Sequence, residues 1–273
     1  MKFLRFFISL FLISLMFYIY KDQILKFDFS KFKFKNLLYL LFLMSLTVLI
    51  TSSRYFFSFK SVGIFYPFNK TFNLGLSSNL MGQILPGGGM GGDIFKFILF
   101  SKLKVDKRLI TKSILIDRGV PLFLALMISC LFIFSEDNYK YLLICLFGLL
   151  LIFYIFIIKF KLETIYLLIS ASHSFILIFL SSYIFYSILN NFGASITFYN
   201  CLIGYCFVFI SKIIPSYGGW GVRETVSALA FNLFGIDPSL AIICSIYFGM
   251  ILALSSLILG IFYIDDIIKI VKK

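Results

Sequence analysis

Two short stretches of this chain hold most of the groups that could grip an ion away from its loops. In "ILPGGGMGGDIFKF", residues 84–97, Pro86 and five glycines are followed by Asp93 and Lys96. In "FVFISKIIPSYGGWGVRETVSALAF", residues 207–231, Lys212 and Pro215 precede Gly218, Gly219, Trp220 and Gly221, and Arg223 and Glu224 follow. Proline ends an incoming helix and glycine allows a tight reversal, so each stretch reads as helix, turn, new helix. A new helix leaves its first N–H groups without partners and presents a positive dipole end. An anion, above all a phosphate, satisfies both. The spacing points to two anion-receptive helix starts, at Gly91–Gly92–Asp93 and at Gly219–Trp220–Gly221. Lys96 and Arg223 add positive charge there, and Asp93 and Glu224 can hold these bases while no anion is bound.

Lys212 lies deep in its apolar block and belongs with this group. Asp117 and Arg118, in "IDRG", stand near the start of another apolar block. They read either as intramembrane site residues or as a pair whose arginine snorkels to the headgroups. Trp220 reads either as an interfacial anchor or as a cavity-lining residue. His173, the single histidine, fits a proton relay or, better, a packed side chain bonded to Ser170 or to a neighbouring helix.

Other chemistry is not visible. The five cysteines, Cys130, Cys145, Cys201, Cys206 and Cys244, fall inside apolar segments without metal-ligand spacing and read as packing residues. There is no P-loop, no HExxH and no nucleophile–histidine pair. Asp265–Asp266 read as a helix end. No catalytic residue, cofactor or metal is expected.

The elements that must position these residues are membrane helices. The 273 residues are 61% hydrophobic and 14% charged, with a mean hydropathy of +1.02. Soluble domains carry about 25% charged residues. Apolar blocks near 6–20, 37–53, 113–135, 140–158, 164–189 and 240–264 can each, with their flanks, reach the ~20 residues a crossing needs. The start reads as a retained first helix, since no small-x-small cleavage site follows it. The pieces at 72–85 and 93–101 are too short to cross and read as a re-entrant hairpin. The pair within 197–235 reads as a second one. The expected fold is all-α and polytopic: about six full spans plus two Gly/Pro-broken hairpins, or eight spans. One domain of two halves is expected, about 37–135 with hairpin 72–101 and about 164–264 with hairpin 197–235.

The net charge of +13 is a topology signal, not a nucleic-acid footprint. Lys102, Lys104, Lys107, Arg108 and Lys112 place the 101–112 loop in the cytoplasm. Counting spans from there puts both termini inside, Arg54, Lys60 and Lys70 inside, and "NNFGASI" outside. The two hairpins then enter from opposite faces as an inverted repeat. The lysine-rich 21–36 loop lands outside and speaks against this count.

Together, "ILPGGGMGGDIFK", "IDRG" and "IPSYGGWGVRE" resemble the motifs of the lysylphosphatidylglycerol synthase transmembrane family. That flippase-like domain also occurs in proteins once described as dolichol-phosphate glucose synthetase homologues. The resemblance covers nearly the whole chain. It implies Pro86, Gly91, Gly92, Asp93, Asp117, Arg118, Pro215, Gly219, Gly221, Arg223 and Glu224 as pattern positions, with Lys96 where the family often has arginine. The soluble aminoacyl-transferase domain of full-length synthases is absent. The expectation is therefore a flippase-like protein of the cell (inner) membrane that moves an anionic phospho- or polyprenyl-phosphate lipid between leaflets. Membrane lipids are its expected partners, together with a separate lipid-modifying synthase or a second copy of the chain. A transferase using a lipid-linked donor, with Asp93 or Glu224 as base, and a non-catalytic synthase partner are the alternatives.

Overall fold

The computed structural model describes residues 34–84, 89–133, 162–214 and 219–261, with single positions at 263 and between 148 and 159. The first apolar block, most of 140–158, Cys145, Asp265–Asp266, the basic tail and both turn prolines, Pro86 and Pro215, lie outside the described residues. Every regular element among those described is helical: α1 Phe34–Ser61, α2 Phe68–Ile84, α3 Gly89–Lys102, α4 Lys107–Ile133, α5 Thr164–Asn191, α6 Phe198–Ile210 with a 3-10 turn Ser211–Ile213, α7 Val222–Asn232 and α8 Pro238–Ile261. α1, α4, α5 and α8 are long and apolar enough to cross a membrane. The short pairs α2–α3 and α6–α7 are the hairpins. α1, α5 and α8 turn large apolar side chains outward, among them Leu38, Phe42, Leu168, Phe175, Phe179, Leu254 and Leu257. Hydrocarbon, not water, is the solvent that tolerates this.

Two hydrogen bonds fix the direction of the hairpins. The backbone N–H of Glu163, just before α5, donates to the carbonyl of Ser61 at the end of α1, at 2.9 Å. At the other end, Asn36 Nδ2 donates to Asn191 Oδ1 at 3.0 Å. α1 and α5 are therefore antiparallel, and they pack against each other. The first hairpin follows the end of α1 and the second follows the end of α5, so the two open at opposite faces of the bundle.

The halves repeat each other in detail. α1–α2, α2–α3, α3–α4 and α1–α4 pack just as α5–α6, α6–α7, α7–α8 and α5–α8 do; α2–α8 mirrors α6–α4, and α1–α8 mirrors α5–α4. The turn after α1 bonds Gly63 N–H to Lys60, and the turn after α5 bonds Gly193 N–H to Asn190. The loop before α4 has Val105 N–H on Phe100 and Asp106 accepting from Arg108 N. The loop before α8 has Ile236 N–H on Phe231 and Asp237 accepting from Ser239 N. The apolar centres follow suit: Tyr55 meets Phe100 in one half, and Phe185 stacks on Phe231 in the other.

Many hydroxyls within the spans donate to nearby carbonyls, which suits an anhydrous surrounding. Thr51, Ser52, Ser174 and Ser182 donate to carbonyls one turn back, and Ser58 and Ser170 bond to each other between α1 and α5 at 3.1 Å. His173 therefore does not bond Ser170. Its Nδ1 lies 2.8 Å from the Ile169 carbonyl of its own helix, and its ring packs on Phe57. Cys201, Cys206 and Cys244 are buried free thiols.

Candidate functional site

The third helix starts earlier than the sequence pattern suggests. α3 begins at Gly89, so Gly91 and Gly92 lie in its first turn and Asp93 inside the helix. Close packing explains Gly92: a Cβ there would collide with the Ser78 carbonyl of α2. That contact lets the two hairpin arms approach until backbone meets backbone.

From this first turn, α3 presents Asp93 and Lys96 to α4. Lys96 Nζ lies 3.0 Å from Asp117 Oδ2 and 3.6 Å from Asp93 Oδ1, and it sits over the Tyr55 ring at 3.9 Å. Arg118 does not snorkel to the headgroups. Its Nε donates to Asp93 Oδ2 at 2.7 Å. Arg54 belongs to this cluster too, which corrects its assignment to a cytoplasmic flank. It is buried in α1, with Nε and Nη2 each 3.0 Å from Asp117 Oδ1. Nothing in the local sequence around Arg54 marks it, because its partner stands on α4. Its place inside a helix that continues to Ser61 is the one signal available.

The cluster has a closed side and an open side. The side chains of Arg54, Lys96 and Asp117 are 8%, 7% and 4% exposed, whereas Arg118 is 38% exposed. Asp117 thus works as an internal counter-ion between two cations. Removing one partner from such a buried set typically costs about 3–5 kcal/mol.

The second hairpin solves the same problem differently. Gly219 and Gly221 have φ of +83° and +84°, a backbone region that disfavours side chains. They turn the chain into α7, whose first residues carry Arg223 and Glu224. Glu224 Oε2 accepts the Gly221 N–H at 2.6 Å, and its Oε1 accepts from Arg223 Nε at 3.0 Å. Ser245 of α8 lies 3.2 Å from Arg223 Nε, and Trp220 lies under the guanidinium at 4.8 Å. Gly249 of α8 makes room, since a Cβ there would run into the guanidinium. An N–H that sequence reasoning left for an incoming anion is therefore already held by Glu224.

The two clusters stand at matching depth. Arg118 is eleven residues beyond the start of α4, and Gly249, which touches Arg223, is eleven beyond the start of α8. At 1.5 Å per residue both are about 16 Å from the faces at which those helices begin, and those faces are opposite. A hydrocarbon core is about 30 Å thick, and both clusters stand about halfway along helices long enough to cross it. α4 and α6 pack against each other and run antiparallel, with Ala125 and Cys206 in one buried cluster with Ile178 of α5. Moving down α4 to Arg118 corresponds to moving up α6 to its 3-10 turn, where Lys212 stands. Lys212 is exposed, lies over the Phe209 ring and is within electrostatic reach of Arg223, Arg118 and Arg54. It has no acidic partner among the described residues.

Five cations, Arg54, Lys96, Arg118, Lys212 and Arg223, thus share three carboxylates, Asp93, Asp117 and Glu224. No group of three or more possible metal ligands occurs among the described residues. No curated protein matches the chain at a significant level. A family model does, over residues 2–260, under the description lysylphosphatidylglycerol synthase TM region, which gives no support to the dolichol-phosphate glucose synthetase likeness. That match, over an all-helical set of described residues with four helices fit to cross a membrane, makes this chain a member of the lysylphosphatidylglycerol synthase transmembrane-region family.

Proposed function

We propose that the chain is a flippase-like translocator of lipids whose headgroups carry a phosphate. The observation that carries this reading is the excess of positive charge near mid-membrane, carried by the two hairpins and by the long helices packed on them. Cations buried in hydrocarbon without counter-ions are costly, and a phosphate arriving from either leaflet relieves that cost. An antiparallel, internally repeated bundle also offers two similar ways in, which suits alternating access to one central site.

On this reading the face where α1 ends is cytoplasmic, because Lys60, Lys70, Lys102, Lys104, Lys107, Arg108 and Lys112 gather there. Of the segments at the other face, the loops 192–197 and 233–237 contain no lysine or arginine, whereas the start of α1 carries Lys35. Both acids that a transferase would use as a base, Asp93 and Glu224, are engaged by guanidinium groups, which favours binding over reaction chemistry.

The test is leaflet exchange in vesicles holding the purified chain, with labelled phosphatidylglycerol, a labelled polyprenyl phosphate and a labelled neutral diacylglycerol. Faster exchange of the phosphate lipids alone is expected. Equal rates for all three, or no acceleration above empty vesicles, would remove the reading.

A further inference from the structure

The cations at the centre are not equivalent. Arg54 and Lys96 are closed in around Asp117, and Arg223 is held by Glu224, Ser245 and Trp220. Arg118 is the exception in the first half. It is well exposed and spends one nitrogen on Asp93, leaving its terminal nitrogens without an acceptor among the described residues. Lys212 is the exception in the second half, exposed and without an acidic partner among the described residues. Arg118 stands on α4 of the first half, which packs on α6 of the second, and Lys212 stands on the 3-10 turn that ends α6.

We infer that Arg118 and Lys212 form a phosphate clamp across the two halves, and that Asp93 is its built-in competitor. The inference rests on the anionic-lipid reading above and names the contact that reading lacks. A phosphate oxygen takes the place of Asp93 Oδ2 on Arg118, and a second oxygen meets the Lys212 ammonium. Arginine's fork suits the first contact and lysine's compact charge the second. Asp93 is not stranded by the exchange, because Lys96 is already 3.6 Å away. Lys96 in turn keeps Asp117 at 3.0 Å throughout. Asp93 therefore sets the affinity: it holds Arg118 in place when the site is empty and weakens the grip when it is full, so that the lipid can leave again.

The chain carries its own reporter. Trp220 is its single tryptophan and lies against Arg223 at the same level. The experiment titrates the full chain, in a zwitterionic detergent, with dioctanoyl-phosphatidylglycerol and separately with inorganic phosphate, following Trp220 fluorescence. Asp93→Asn is expected to tighten binding about tenfold, since a charged hydrogen-bond competitor is removed. Arg118→Gln and Lys212→Gln are each expected to weaken it about tenfold, with Arg118→Lys between Arg118→Gln and the parent. Lys70→Gln, a surface change, serves as the control. Saturation by the lipid alone identifies a lipid phosphate as the ligand. Saturation by both ligands with the same variant pattern identifies the phosphate group itself.

An unchanged or weakened affinity in Asp93→Asn would overturn the clamp, as would parental binding in either glutamine variant. The translocation reading fails separately. If the variant pattern appears but the vesicles show no leaflet exchange, the clamp stands and transport does not. If exchange occurs at the parental rate in Arg118→Gln and Lys212→Gln, transport stands and the clamp does not.

Discussion

The first half builds its charged centre from three helices, and the second builds its own from one turn. Asp93 and Glu224 occupy equivalent places, each early in the returning arm of a hairpin. Their cations come from different sources. Asp93 draws on Arg118 of α4, and the same helix supplies Asp117 to bind Arg54 of α1 and Lys96 of α3. Glu224 draws on its own neighbour, Arg223, and α8 contributes only Ser245 and the space at Gly249. One cluster ties α1, α3 and α4 together, so its charges are structural fasteners as well as ligands. The other folds up within the hairpin, which leaves α7 without an ion pair to another helix among the described residues.

That contrast predicts unequal costs for losing an acid. Asp117→Asn strands the buried Arg54 and leaves Lys96 only its longer contact with Asp93, and a loss of about 3–5 kcal/mol in unfolding free energy is expected, read from thermal unfolding in detergent. Glu224→Gln keeps an oxygen for the Gly221 N–H and leaves Arg223 its contacts with Ser245 and Trp220. It should cost about half as much, within the range for a lost hydrogen bond to a charged group, roughly 1.5–3 kcal/mol. Equal losses in the two variants would mean that the ties among α1, α3 and α4 do not brace the first half.

Space sharpens the comparison further. Gly249→Ala places a methyl against the Arg223 guanidinium, and overpacking of that kind costs about 1–3 kcal/mol. It should also move Trp220 fluorescence, because the ring lies on the same guanidinium. Gly119, next to Arg118 in the first half, has open space where a Cβ would stand. Gly119→Ala is expected to be neutral or to stabilise by up to about 1 kcal/mol through helix propensity. Similar losses at both positions would show that the halves are packed alike around their arginines.

Much of this arrangement is legible in the sequence because it is written in local signals. Proline, glycine clusters and apolar block lengths mark both hairpins, and lysine placement sends them in from opposite faces. The antiparallel pairing of α1 with α5 gives the same directions. Charges within one turn of a glycine cluster, such as Arg223 and Glu224, are also legible, since their partners are adjacent in the chain. What escapes is anything settled by a distant helix. Arg54 looks like the basic flank of a span until Asp117, 63 positions away, faces it. Gly92 looks like part of a flexible loop until the Ser78 carbonyl shows that closeness, not flexibility, requires it. The bare helix start at Gly221 is closed by Glu224, which the sequence pairs with Arg223 and not with a backbone N–H.

The smallest effect tests the repeat where it is most regular, in the loops before α4 and α8. Asp237 caps α8: Ser239 donates to Oδ1 through its backbone N–H at 2.7 Å and through its hydroxyl at 2.5 Å. The Ser239 side chain and these backbone N–H groups favour the ionised carboxylate and hold its pKa below the ordinary value. A carboxyl group with a lowered folded pKa adds stability that is fully present above the unfolded pKa of about 4 and fades as pH falls through the folded value. Asp237→Ala is expected to cost about 1 kcal/mol at neutral pH. The difference from the parent should shrink as acid unfolding scans move below about pH 4. Asp106 caps α4 at 2.9 Å through Arg108 N alone, without a hydroxyl donor, so Asp106→Ala should cost less than Asp237→Ala under the same conditions. A larger loss at Asp106 would mean that the loop before α4, although it copies the backbone of its counterpart, carries a load that the counterpart does not.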